Sequence, residues 1–397
     1  MSDREYSNFT FDETRFAVDA INRYDLTQTF EYFASVVPQE VFDKTKRVLL
    51  TGCGDSYCAA LAARPVFEIP DRDGREGPVP VLHTEALRSV DLGRYYNTYR
   101  GWDPADAQST MVCAVSVSGN PYRPVECLSR INALGGTSIA FTNRPEGSPL
   151  SEVAQYIIDL HFPKELHLDN VPNVANYEAS MFTLMMFGLY TNVCTGRMSM
   201  QEALEKRASA VAYVNSFTKE VFDSVEEKVK TVCELWEDAG VDFYDYVAED
   251  QEYATAFFGS AKVVEGVGSL ITHDDAEDWC HINYYNRAPE KVGTIAIVNT
   301  DSPSFSRDLE TVRVMTAIGR PVLVVTDAPE ICFPEQAHVV SLPKAKYRWA
   351  SPLMQHLPLD YVSACLQVLK GIVPFRRGSE IHMRDHGNRF RSEVKIV

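Results

Sequence analysis

The chain has 397 residues, enough for two domains of ordinary size, and a formal charge of −17 that disfavours nucleic acid and anionic membranes as partners. No apolar run approaches the roughly 20 residues of a membrane span, and the opening Met1-Ser2-Asp3-Arg4-Glu5-Tyr6 lacks a signal-peptide pattern. Nine cysteines with no CxxC pair read as core thiols of a reducing cytosol, so a cytoplasmic protein without disulfides is expected.

Residues 1 to about 45 are polar and amphipathic. Phe30, Phe33 and Val36 stand at helical spacing, which predicts leading helices. Four apolar strand candidates follow at 47–52, 111–116, 137–142 and 156–161. Between the second and third, Val125, Leu128, Ile131 and Leu134 make a helical stripe that Gly135-Gly136 ends. A long apolar helix over 179–194 closes this half. The stretch from about 200 to 240 is helical and charged. Strand candidates then recur at 243–248, 294–299, 321–327 and 337–342, with a last helix over 353–371. The second-to-third and third-to-fourth strand intervals are about 26 and 19 residues in the first half, against about 27 and 16 in the second. This matched rhythm predicts an α/β protein of two similar doubly wound parallel sheets in tandem, three-layer αβα. The expected domains are 1–200 with the leading helices, a helical linker over 201–240, and 241–397 with a C-terminal tail.

Chemistry enters at two turns. Gly52-Cys53-Gly54-Asp55-Ser56 lies between the apolar run Val48-Leu49-Leu50 and a helical segment. Strand, glycine-rich turn and helix N-terminus in that order make an anion site, because free N–H groups of the first helical turn point at the ligand. Ser116-Val117-Ser118-Gly119-Asn120 repeats the arrangement with serines. The ordered pair suggests a phosphate held by neutral donors. Packing and helix capping would explain either turn alone.

With these turns, the sequence resembles the double SIS (sugar isomerase) family. The likeness lies in Gly52-Cys53-Gly54-Asp55-Ser56-Tyr57, Thr84-Glu85 after a short strand, Ser116-Val117-Ser118-Gly119, and Phe141-Thr142-Asn143 before Ser148-Pro149-Leu150. In the second half it lies in Glu252-Tyr253, Gly259-Ser260-Ala261-Lys262-Val263-Val264-Glu265, and Glu277-Asp278-Trp279-Cys280-His281. It runs from about residue 30 to the C-terminus, nearest to the isomerase half of glucosamine-6-phosphate synthases and to fructosamine-6-phosphate deglycases. A glutaminase half is expected to be absent, and with it the glutamine-dependent reaction.

The resemblance implies that Ser56, Ser116 and Ser118 bind a sugar phosphate with backbone N–H groups around Gly54, Val117 and Asn120. It extends substrate binding to Asn176. Asp55 is expected on the sugar hydroxyls, since a carboxylate beside a dianion is repulsive. Pro121 stands where the family has a hydroxyl residue, removing one hydroxyl and one N–H. Arg123 is the expected compensation, and a sulfonate or carboxylate in place of the phosphate stays open.

Glu265 is implied as the base that moves a proton between C1 and C2; the plain alternative is a surface glutamate paired with Lys262. His281, sixteen residues later, is implied as the ring-opening acid/base, contributed across the boundary of a homodimer. Arg391 stands where the synthase has a Schiff-base lysine. Arginine cannot do that chemistry, so it is expected as a cation near the enediolate.

No metal or cofactor is expected. The His382/His386 pair lies outside any predicted helix, and Gly52-Cys53-Gly54 lacks the third glycine of a dinucleotide fingerprint. The reading is therefore an aldose–ketose phosphosugar isomerase. A fructosamine-6-phosphate deglycase and a sugar-phosphate sensor without turnover are its alternatives.

Overall fold

The computed structural model describes residues 5–68, 82–96, 104–162, 172–376 and 379–384. Its frame is two five-stranded sheets in which every pairing is parallel. The first holds β1 (Arg47–Gly52), β2 (His83–Arg88), β3 (Thr110–Val115), β4 (Thr137–Thr142) and β5 (Tyr156–Asp159), in the order β2-β1-β3-β4-β5. The second holds β6 (Phe243–Val247), β7 (Leu270–Asp274), β8 (Val292–Val298), β9 (Val322–Thr326) and β10 (His338–Ser341), in the order β10-β9-β8-β6-β7.

The two sheets share one topology. In each, the chain moves from the first strand to one edge, then returns past it to the other side. The repeat expected from strand rhythm is present, with one addition per sheet. β2 and β7 are edge strands with mixed exposure, whereas β3 and β8 are buried along their whole length. A half-exposed edge strand lacks the apolar run that marks a central one. Thr84 and Glu85 accordingly lie inside β2 rather than after a strand.

The chain divides into two compact units that depart from the contiguous 1–200, 201–240 and 241–397. Described residues 19–68, 82–96, 104–162 and 176–211 form the unit of the first sheet; 5–18, 172–175, 212–376 and 379–384 form that of the second. The leading helix Phe9–Arg15 therefore belongs with the second sheet, where Phe11 meets Tyr361 at 5.6 Å and the Asn8 side-chain amide donates to Ala364 O at 2.9 Å. The charged stretch is two helices, Met200–Asn215 and Lys219–Asp238.

In the first unit, helix Tyr122–Ala133 turns Val125, Leu128 and Ile131 onto Leu49, Val112, Ala114 and Ala140. The next side chain along β4, Phe141, points to the opposite face, where it meets Phe187 of helix Ala175–Cys194 at 5.4 Å. In the second unit, Val247, Ala296, Val298 and Val324 pack with Trp279, Val312 and Met315 on one face. Tyr244 turns the other way onto Trp236, ring centroids 5.7 Å apart. Helices thus cover both faces of each sheet. Among the described residues no helix is long and apolar enough to cross a membrane. His382 lies in the short helix Glu380–Met383, contrary to expectation; His386 is outside the described residues.

Candidate active site

β1 and β3 are neighbours, with Thr51 beside Ala114 in the register. After β1 the chain departs toward β2, and after β3 toward β4. Turns that diverge in this way leave a crevice beyond the strand ends, where open α/β sheets bind ligands. Both predicted turns are there.

In the first turn, Gly54 has φ +56 and receives Tyr57 N–H and Cys58 N–H at 2.9 and 3.1 Å, opening helix Asp55–Glu68. Ser56 is buried in the first turn of that helix. In the second turn, Gly119 N–H closes onto Ser116 O at 3.0 Å. Gly119 has φ +64, and a Cβ there would lie 2.3 Å from Ser148 Oγ, so only glycine fits. Val117 O is fixed by Asn143 N–H at 3.0 Å and the Thr142 hydroxyl at 3.2 Å. Ser116 is buried, while Ser118 and Asn120 are exposed at the rim. Asn120 N–H reaches Ser118 Oγ at 3.4 Å. Pro121 precedes helix Tyr122–Ala133 without a side-chain cap.

Asp55 is half-buried in the first turn of its helix. Asn176 lies in the first turn of helix Ala175–Cys194, its Oδ1 buried with no hydrogen-bond partner among the described residues. Arg123, in the first turn of its helix, bonds Glu126.

The second sheet has the same crevice with different chemistry. The residues after β6 are Ala248-Glu249-Asp250-Gln251-Glu252. Arg348 donates to buried Glu252 from Nη2 at 2.5 Å and Nε at 3.3 Å. Asp308, after β8, is buried and its pKa is pushed up to about 7 by burial, then by Glu249 and Glu252. Buried carboxylates thus gather beyond the ends of β6 and β8.

Glu265 and His281 belong to the second unit. Glu265 sits in the last turn of helix Gln251–Gly266. Lys262 Nζ holds its Oε2 at 2.6 Å. The pairing with Lys262 is therefore real, but it is not a surface pair. The Lys262 side chain is 1% exposed and that of Glu265 34%. Phe258 lies under the ammonium, 5.0 Å from ring centroid to Nζ. A buried ammonium fixes one carboxylate oxygen, and Oε1 has no partner among the described residues. The i−3 spacing of Lys262 was visible in the sequence; its burial was not.

His281 ends helix Ala276–His281 with its side chain 70% exposed, bonded to Glu277 Oε1 at 3.1 Å. Arg391 lies outside the described residues. Among the described residues no group of three or more His, Cys, Asp or Glu could hold a metal ion.

No protein-family model matches the chain. Glutamine–fructose-6-phosphate aminotransferase (isomerizing) of Clostridium tetani is 21% identical over 338 residues, covering 84% of this chain and 51% of that protein. The chain spans about half the length of such curated relatives. Among solved structures, the C-terminal domain of glucosamine-fructose-6-phosphate aminotransferase from Francisella tularensis superposes with TM-score 0.75 at 15% identity, over 93% of this chain and 98% of that one. Tagatose-6-phosphate ketose/aldose isomerase of Escherichia coli gives TM-score 0.68 at 13% identity, over 93% and 95%. The fold is shared along almost the whole chain.

Proposed function

We propose that this chain, which resembles the double sugar isomerase proteins along most of its length, acts on a phosphorylated sugar and interconverts its aldose and ketose forms. The observation that carries the reading is the pair of hydroxyl-and-glycine turns at the switch point of the first sheet. Ser56, Ser116 and Ser118, with the N–H groups of both turns, would hold the phosphate at the end of the sugar that does not react. Gly54 and Val117 would shape the backbone there, Asn120 and Asn176 would border it, and Asp55 would accept from sugar hydroxyls.

Isomerisation removes a proton from one carbon of the pair C1 and C2, leaves the electrons on the neighbouring carbonyl oxygen as an enediolate, passes a proton from the hydroxyl oxygen of the first carbon to that former carbonyl oxygen, and returns the abstracted proton to the other carbon. One carboxylate with a free oxygen can do both transfers at carbon. Glu265 is that group in this reading: Lys262 orients one oxygen and leaves the other to the substrate. His281 would open the sugar ring, donated by the partner subunit of a homodimer, and Arg391 would meet the enediolate's charge.

The test is proton exchange in D2O, followed by NMR with candidate sugar phosphates. Wild-type protein is expected to label C1 or C2. Glu265→Gln should abolish labelling while binding stays within a few-fold, because the amide keeps the shape and loses the base. A variant retaining more than about a tenth of the rate would remove Glu265 from the role. Release of amine from a fructosamine phosphate would identify a deglycase. Binding without exchange would identify a sensor.

A further inference from the structure

We propose that the crevice beyond β6 and β8 of the second sheet is a binding site for a primary ammonium group, with Asp308 as its anchoring carboxylate and Glu249 as a second acceptor.

Asp308 stands in the first turn of helix Phe305–Ala317, which follows β8. Val312 and Met315 of that helix pack with Val298, Val324 and Trp279. Asp308 lies one turn before Val312 on the same face, toward the end where the chain leaves β8. It therefore continues the sheet-facing stripe into the crevice, and it is more than nine-tenths buried. Its backbone N–H is used by Ser304 O at 3.0 Å, but its carboxyl makes no hydrogen bond or ion pair to a described residue. The helix dipole favours an acid in a first turn, and an exposed acid would meet that preference. Burying a carboxyl without a partner costs stability, so packing of this unit does not explain Asp308.

The second acceptor comes from another element. Glu249, just after β6, is half-buried and takes the Ala276 N–H on Oε1 at 2.9 Å. Its Oε2 has no partner among the described residues. Glu252 is already matched, since Arg348 donates to both of its oxygens. Arg348 is thereby committed to Glu252, with Asp250 3.5 Å away. Asp308 and Glu249 are left with no cation bonded to them among the described residues.

The donors that such a site lacks define its ligand. Ionised carboxylates only accept hydrogen bonds. Among the described residues no group of three or more His, Cys, Asp or Glu could hold a metal ion. An ammonium does not need that convergence, because each of its N–H groups reaches its own acceptor at hydrogen-bond distance. Its charge offsets that of the carboxylates in a space where water no longer does so. The chain's charge of −17 draws cations toward the protein at long range.

Thermal melts of the full chain at pH 8 and constant ionic strength test this. An amine held with a dissociation constant of about 10 mM should raise Tm by roughly 3 °C at about 100 mM. Ammonium and methylammonium chloride are expected to give that gain. Potassium and tetramethylammonium chloride, which carry the charge without N–H donors, are not. Asp308→Asn should melt higher than wild type without amine and yet lose the gain, which separates a lost site from a damaged fold. Glu249→Gln should weaken binding several-fold. At pH 5 a proton on Asp308 competes with the cation, so the gain should shrink. The groups facing Asp308 are Glu249, Glu252 and Arg348; Glu249, itself raised by burial, changes in the same direction, and Arg348 stays charged. A larger gain from methylammonium than from ammonium would assign the site to an organic amine, and the reverse to the free ion. Equal gains in wild type and Asp308→Asn, an equal gain from potassium or tetramethylammonium, or no gain from either amine in wild type would each overturn the site.

Discussion

Asp308 lies in the first turn of helix Phe305–Ala317, 5% exposed, and its carboxyl makes no hydrogen bond to a described residue. Its pKa is pushed up to about 7 by burial, then by Glu249 and Glu252, against the pull of Arg348. In the unfolded chain an aspartate titrates near 4. The folded state thus keeps a proton that the unfolded state loses between roughly pH 4 and 7. Stability from this group is fully present below about pH 4 and is lost as pH rises through 7. Asp308→Asn, neutral at every pH, should raise the melting temperature by roughly 2–6 °C at pH 8 and change it little at pH 4. An equal gain at both pH values in a thermal melt would show that charge is not the cause. Glu13 behaves in the same direction, with a pKa of about 7 from burial, although it accepts from Val174 N–H at 2.8 Å and Ala175 N–H at 3.1 Å. Neither residue stood out in the sequence. A carboxylate reads as surface until its neighbours are known.

At the scale of elements, β6 carries a polar group in its middle. Asp245 is fully buried and accepts from Thr272 Oγ1 and Trp279 Nε1 at 2.6 Å, and from Arg320 Nη1 at 2.9 Å. Arg320, just before β9, also reaches Asn283 O at 2.5 Å. The cluster ties β6, β7, helix Ala276–His281 and the segment before β9 through one carboxylate. Burial raises the pKa of Asp245, opposed by Thr272 and Arg320, and lowers that of Arg320, so each ion is tolerated because of the other. Arg320→Met should destabilise the protein by about 3–5 kcal/mol, since it strands a buried charge, read as a fall in the urea midpoint. Adding Asp245→Asn should recover part of that fall. If the double variant were less stable than Arg320→Met alone, the carboxylate's other hydrogen bonds would matter more than its charge. The strand hosting Asp245 was legible from Phe243 to Val247. The edge strand β7, which supplies Thr272, was not, because Leu270–Asp274 has one free side and no apolar run.

For the molecule as a whole, the proposed homodimer has a kinetic signature. If His281 serves the site of the partner chain, Glu265→Gln and His281→Ala homodimers should each be inactive. Hybrids formed by gentle unfolding and refolding together should recover up to about a quarter of wild-type exchange on random mixing, since half of the dimers are hybrids with one intact site. Mass spectrometry would establish that hybrids formed. Proven hybrids with no recovered activity would put both residues in a site made by one chain.

The sequence by itself determined the repeat, most of the strands and both cradle turns, because buried parallel strands are continuous apolar runs and tight turns demand glycine at given positions. Gly119 shows this: its positive φ and its contact with Ser148 leave no choice of residue. The sequence also placed Lys262 one helical turn before Glu265. Tertiary structure alone decided that the lysine is buried under that carboxylate, and that Arg94 joins Arg123 on Glu126 across 32 positions of chain. It also decided that residues 5–18 belong with the second sheet. Those facts depend on which distant groups share a space from which water is excluded. Local periodicity and spacing carry no record of that.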